Sequence, residues 1–262
     1  MTEKKGILKK VFMGLLLLFF YAPIIYTVIF SFNESRSLTK WSGFSIQWYE
    51  RVFASSDMTN AIMYTVVIAI LATIISTIVG TITAIGISKN NRVLKAGIER
   101  INDLPIMNPE IVTAIGLLMF FSAIGIRKGF ATMLLAHVMF CVPYVMLSVT
   151  PKLRGLDPNL ADACMDLGAT PWQALTKVIV PQIMPGVISG ALIAFTMSFD
   201  DFVISYFVTG NGVSNISILV YTMSKRINPS INALSTIIIF IITIVLVIVN
   251  IIPLIKERKM KK

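Results

Sequence analysis

Residues 61–88 read AIMYTVVIAILATIISTIVGTITAIGIS, without one charged side chain. At about 1.5 Å per helical residue such a run spans the roughly 30 Å hydrocarbon layer of a bilayer. Hydrocarbon offers no hydrogen-bond partners, so a chain crossing it must satisfy its own backbone, as a helix or a closed barrel. An unbroken apolar run of this length fits the helix. Five further segments share the pattern, and the six predicted spans are 10–32, 61–88, 103–124, 129–150, 185–208 and 231–255. The predicted fold class is therefore all-α, a polytopic membrane protein with six transmembrane helices and one domain over 1–262. Charged residues make up 14% of the chain, against about 25% in soluble domains. The start, MTEKKGILKKVFMGLLLLFF, has the basic flank of a signal peptide. Its apolar run is too long for one and no small-residue cleavage site follows, so it reads as a retained first helix.

The net charge of +10 follows from topology and does not call for nucleic acid. Lys and Arg collect on the cytoplasmic side of membranes. With the N-terminus inside, 16 of the 23 fall on inner segments: the N-terminal tail, the 2–3 loop (Lys89, Arg92, Lys95, Arg100), the 4–5 loop (Lys152, Arg154, Lys177) and the C-terminal tail. The outer seven are Arg36, Lys40, Arg51, Arg127, Lys128, Lys225 and Arg226. Both termini are expected in the cytoplasm. Cys141 lies in an apolar run and Cys164 in a polar loop, which argues against a disulfide framework. No Cys, His and Asp spacing suggests a metal site, and no nucleophile–base pair suggests an enzyme.

The loop 151–184 is long for a connection without structure of its own. Asp157 and Pro158 suit the N-cap and first position of a helix over 158–167, and Gly168 suits its C′ position. Thr170 and Pro171 start a second short helix, expected to stop before Pro181. Such a pair lying on lipid would carry basic residues on its polar face. Residues 157–176 instead hold Asp157, Asp162 and Asp166 and no Lys or Arg. Anionic lipid would repel that face, so a protein partner is the better reading.

On these residues the loop resembles the coupling loop of ATP-binding-cassette importer permeases, a Glu-Ala-Ala pattern followed by a glycine and an aliphatic–proline end. Here it reads Asp162-Ala163-Cys164, then Gly168, then Val178-Ile179-Val180-Pro181. Asp replaces Glu, Cys replaces the second Ala, and Val stands in the aliphatic positions. The resemblance implies a type I importer permease fold, with Asp162, Ala163, Cys164, Gly168, Ala169 and Pro171 on the surface that meets the ATPase. Within that family, PIMNPEIVTAIGLL (105–118), MDLGAT (165–170), SFDDFVISYFVTG (198–210) and INALSTI (231–237) are similar to the second permease subunit of spermidine/putrescine importers. This implies a bacterial inner-membrane location, a homologous partner permease, two ATPase subunits and an external polyamine-binding protein. No G-x-x-x-x-G-K-[ST] loop is present. No cofactor is expected in this chain, and ATP and magnesium would be bound by the partner.

Asp200 and Asp201 stand together inside the fifth predicted span. Ionisable residues are costly there and usually face the bundle interior or a pathway. A polyamine joins ammonium groups by methylenes, so its path needs spaced carboxylates and aromatic faces. The residues placed on that path, with the support of the resemblance, are Trp48, Glu110, Ser198, Asp200, Asp201, Phe202 and Tyr206. Straight spans put Asp200 in the outer half of the membrane and Glu110 on a second level nearer the cytoplasm. Adjacent helical residues point about 100° apart, so which aspartate faces the path stays open. Plainer readings also stand. Either aspartate can pair with a base of the partner permease, Glu110 can favour a helix N-terminus, Trp48 can be an interfacial anchor, and His137 reads as a packed structural residue. Iron or thiamine cargo, or a non-transport scaffold or sensor, are the alternative functions. Oxyanion cargo is disfavoured, because the spans offer no Lys or Arg to meet it.

Overall fold

The computed structural model describes residues 2–210, 212–224 and 228–260, with side chains described over 9–210, 212–224, 228–244 and at 247. Of the basic residues used for topology, Lys225, Arg226, Lys261 and Lys262 lie outside the described residues. Among the described residues the protein is all-helical, and the one β feature is an isolated bridge between Asn33 and Phe44. The chain divides into two compact units, one of residues up to Thr59 with those from Val220 onward, the other Asn60–Leu219.

The first unit contains α1 (Thr2–Phe30), α2 (Gln47–Ala54) and α12 (Ser230–Met260), with α12 packed on both others. Most side chains of α1 are exposed, Phe19 and Phe20 among them. Such a surface suits lipid and would be an aggregation hazard in water. The 31–46 connection is organised by buried Asn33. Its Nδ2 donates to the Ser37 and Lys40 carbonyls at 2.9 Å each, and its Oδ1 accepts from Ser42 N at 2.9 Å.

The second unit is built around α6 (Phe130–Arg154), which packs against α9 (Val180–Asp200), α4 (Arg92–Met107) and the short α10 (Val203–Val208). The core here joins Ile68, Phe121, Met133, Val145, Ile183 and Ile204. α9 lies close to α6 because Gly190 has no side chain. A Cβ there would stand 3.1 Å from Val145 Cα and 3.3 Å from Ser148 Cβ. Small residues at such crossings let membrane helices approach and gain dispersion energy.

Two predicted spans are redrawn. The third, 103–124, is not one helix. α4 ends at Met107, Asn108 and Pro109 leave the helical region, and α5 (Glu110–Ala123) departs at 107°. Pro109 has no N–H to continue α4 and disfavours helix at the residue before it. The fifth, 185–208, breaks at Asp201 and Phe202, between α9 and α10. Its N-terminal side extends the other way. The helix expected to stop before Pro181 instead runs on continuously over Pro171–Asp200. It begins as α8 (Pro171–Ala174), widens into a π turn at Leu175–Ile179 and resumes as α9. A π turn just ahead of Pro181 relieves the ladder where the proline cannot donate.

Among the described residues four helices are long and apolar enough to cross a membrane, or five if the bent α4–α5 pair counts as one broken span. The described apolar part of α12 is Ser230–Ile244.

Candidate functional site

The α9–α10 break carries most of the predicted path residues and explains why two aspartates stand there. Asp201 leaves the helix at φ −59°, ψ 128°. Its carboxylate turns back on the first turn of α10. Oδ2 accepts from Ser205 N at 2.7 Å and from Ser205 Oγ at 2.7 Å, and Oδ1 accepts from Ile204 N at 3.3 Å. Asp201 thus satisfies the amides that a new helix leaves unpaired, and it is only 5% exposed. The carbonyls released at the end of α9 are met from the 215–217 segment, Asp201 O by Asn215 Nδ2 at 2.8 Å and Asp200 O by Ser217 Oγ at 3.3 Å.

Asp200 is exposed, as is Glu110 at the start of α5. Glu110 lies within electrostatic reach of both aspartates. The bend at Pro109 turns α5 away from the straight course that placed Glu110 on its own level. Beside Glu110 is a cleft of about 180 Å³ lined by Asn108, Thr113, Phe140, Tyr144 and Met197, among others. The Phe202 and Tyr206 rings are 5.4 Å apart, with Tyr206 exposed. Ser198 belongs to the same region but is buried, and its Oγ is 2.6 Å from His137 Nδ1.

His137 is more than a packed residue. Fully buried on α6, its Nε2 is 2.9 Å from Ser205 Oγ and 3.4 Å from Asp201 Oδ2. Sequence reasoning missed this role, as it missed Ser205 and Asn215. The signal was slight: one histidine in an apolar run, and an Asn ahead of the helix α11 (Ile216–Ser224).

Trp48 belongs to the other unit. It is 2% exposed, Nε1 donates to Asn33 O at 2.6 Å, and the Arg51 guanidinium lies 4.6 Å from its ring centroid. The open stacking face expected of Trp48 is not presented, because the indole is packed into the 31–46 connection with Arg51 over its ring.

As far as Pro171 the polar loop folds as read, within a residue or two, while the helix that starts there does not stop before Pro181. Asp157 Oδ1 accepts from Asn159 N at 2.8 Å, and α7 runs Leu160–Asp166. Gly168 adopts φ +90°, and Ala169 N bonds back to Cys164 O at 3.1 Å. Thr170 and Gln173 form a reciprocal capping box around Pro171. Asp162 and Ala163 are exposed, Cys164 and Ala169 half-buried. Leu167 and Trp172 flank the turn at 89% and 71% exposure. Sequence reasoning did not single out these two large apolar side chains. Among the described residues no three His, Cys, Asp or Glu side chains come together as a metal-holding group.

Several apolar helices, a broken span lined with carboxylates and a loop that presents apolar residues beside an acidic helix define a multi-pass solute permease of the ATP-binding-cassette importer type. The chain belongs to the binding-protein-dependent transport system inner membrane components, whose family pattern matches residues 76–262. It is 38% identical over 244 residues to the spermidine/putrescine transport system permease protein PotC of Haemophilus influenzae, covering 93% of this chain and 95% of that protein. It is 37% identical to the putrescine transport system permease protein PotI of Escherichia coli K12, covering 87% and 84%. A bacterial ABC transporter that imports the acidic polysaccharide alginate shares the fold, with TM-score 0.74, 16% identity and coverage of 94% and 95%. The alginate transporter solved with its pentasaccharide-bound periplasmic protein matches at TM-score 0.69 and 14% identity, covering 94% and 93%.

Proposed function

We propose that this chain is the permease subunit of an importer that passes polyamines, spermidine or putrescine, into the cytoplasm. The observation that carries the reading is the exposed Asp200, set beside a capped Asp201 and within reach of Glu110. Similarity to the two polyamine permeases supports the cargo. A protonated polyamine entering a membrane needs a counter-charge at each step, because an unpaired ion there is costly. Asp200 and Glu110 supply anionic stations, and the Phe202 and Tyr206 rings offer faces to methylenes and ammonium groups. Ser198 and Asp201 serve this path from behind, through the bonds that hold the break.

The chain performs no chemistry of its own in this reading. It pairs with a homologous permease, two ATPase subunits bind ATP and magnesium, and an external binding protein delivers the polyamine. Residues 1–262 act as one transmembrane domain with both termini in the cytoplasm. Loop 151–184 docks on the ATPase through Asp162, Ala163, Cys164, Gly168, Ala169 and Pro171, with Leu167 and Trp172 as the apolar anchors.

The test is labelled spermidine uptake by the full complex in proteoliposomes, comparing the parent with Asp200→Asn. Uptake by the parent and loss of at least about tenfold in an assembled variant is expected, from removal of one charge-assisted contact. Undiminished uptake by Asp200→Asn would refute the role of that carboxylate. A parent that imports iron or thiamine and not spermidine would move the cargo to the alternative.

A further inference from the structure

His137 is the chain's only histidine, and it is one of five linked buried side chains, with Ser198, Asp201, Ser205 and Asn215, drawn from four parts of the second unit. Polar groups removed from water in this way destabilise a fold unless each finds its partner. Here every proton can be placed with the ring neutral. With Asp201 ionised, the single proton of Ser205 Oγ is donated to Asp201 Oδ2 at 2.7 Å. Ser205 Oγ then accepts from Asn215 Nδ2 at 2.9 Å and from His137 Nε2 at 2.9 Å. Nε2 therefore carries a hydrogen. In the neutral ring Nδ1 is left to accept from the Ser198 hydroxyl at 2.6 Å. Asn215 is itself held, since its Oδ1 accepts from Ile218 N at 2.9 Å.

Asp200 and Asp201 are chemically identical neighbours, and nothing local decides which of them caps α10. A slip of one residue would make Asp200 the cap and turn Asp201 outward. The contacts that forbid the slip come from outside the segment, from His137 on α6 and from Asn215 at the head of α11. We propose that His137 is a positioning residue which, with Asn215, selects Asp201 as the cap and so leaves Asp200 for the cargo. The inference rests on the reading that Asp200 meets the transported cation.

The test compares His137→Gln and His137→Leu in the assembled complex. Glutamine offers one donor end and one acceptor end, as the neutral Nε2–H ring does, and leucine offers neither. His137→Leu is expected to raise the KM for spermidine by at least about tenfold, with turnover nearly kept, since misplacing a binding group costs about that much or more. His137→Gln is expected to keep the parental KM. A role confined to packing would penalise both alike, or leave KM unmoved in an assembled His137→Leu; either result overturns the proposal. A cargo-independent arm labels the native carboxylates with a water-soluble carbodiimide and an amine and reads Asp200 against Asp201 by peptide mass spectrometry. Label is expected on Asp200 in the parent and with glutamine at 137, and to shift in part to Asp201 with leucine at 137. This arm decides the proposal even where the parent takes up no spermidine, a result that would refute only the cargo. Ser205→Ala, which cuts the link between ring and carboxylate, is the second variant. Failure of both it and His137→Leu to assemble would assign the network to folding alone and overturn the positioning role.

Discussion

Gly168 offers a test in which conformation can be separated from contact. Its φ is +90°, and no heavy atom lies within 4 Å of the place a Cβ would occupy. A substitution there meets open space, so its whole cost is backbone strain. For an L-residue the left-handed region costs about 1–2 kcal/mol, less for Asn, whose side chain supports it locally. The loop is exposed and can relax, so the subunit itself is not expected to unfold. The strain falls on the fraction of loops shaped to meet a partner, which about 1–2 kcal/mol lowers by about 5- to 30-fold. Transport by the assembled complex should rank Gly168 above Gly168→Asn, then Gly168→Ala, then Gly168→Val, whose branched Cβ fits the region worst. The assay is ATP-driven uptake in proteoliposomes, with assembly checked by size exclusion. Full uptake by Gly168→Ala, or Gly168→Ala outperforming Gly168→Asn, would refute the claim that the positive φ is needed.

A maleimide should label half-buried Cys164 and spare buried Cys141 in the detergent-solubilised chain, and bound ATPase should protect Cys164 if the loop is its docking surface; mass spectrometry of the labelled protein reads both. Gly190→Leu should lower thermal stability by about 1–3 kcal/mol, the usual cost of overpacking, because its Cβ starts 3.1 Å from Val145 Cα; a wild-type melting temperature would contradict the close crossing. Trp48→Phe keeps an aromatic ring and removes the bond to Asn33 O, a loss of about 1 kcal/mol. Uptake should hold within about twofold on that account, and a large loss with unchanged stability would restore Trp48 to the path. Glu99→Gln breaks an ion pair of 2.7 Å to Arg154 whose ends are partly in water, and it should shift the melting curve by less than about 1 kcal/mol.

Much of the fold was legible because membrane helices report themselves by length and apolarity, and caps by residue type. The polar loop is the clearest case. Asp157, Gly168, Thr170 and Pro171 each act within a few residues of themselves, so their neighbours in sequence are their neighbours in space. The helix ends near Pro109 and Pro181 were harder. Proline removes one donor, and whether the chain bends by 107° or absorbs the loss in a π turn depends on what packs beside it. The site was half legible. The carboxylates stood out because charge is rare in an apolar run, and Leu167 and Trp172 did not, because apolar residues are common throughout this chain.

The sequence by itself determined that this is a helical membrane protein with an acidic polar loop and carboxylates in an apolar run, since hydrophobicity, capping and charge are properties of residues and their near neighbours. Only the tertiary structure decided that Asp201 is the cap and Asp200 the exposed group. His137, Ser205 and Asn215 lie up to 78 positions apart in the chain yet meet within hydrogen-bond distance. No local rule distinguishes two adjacent aspartates; the side chains that α6 and α11 bring against them do.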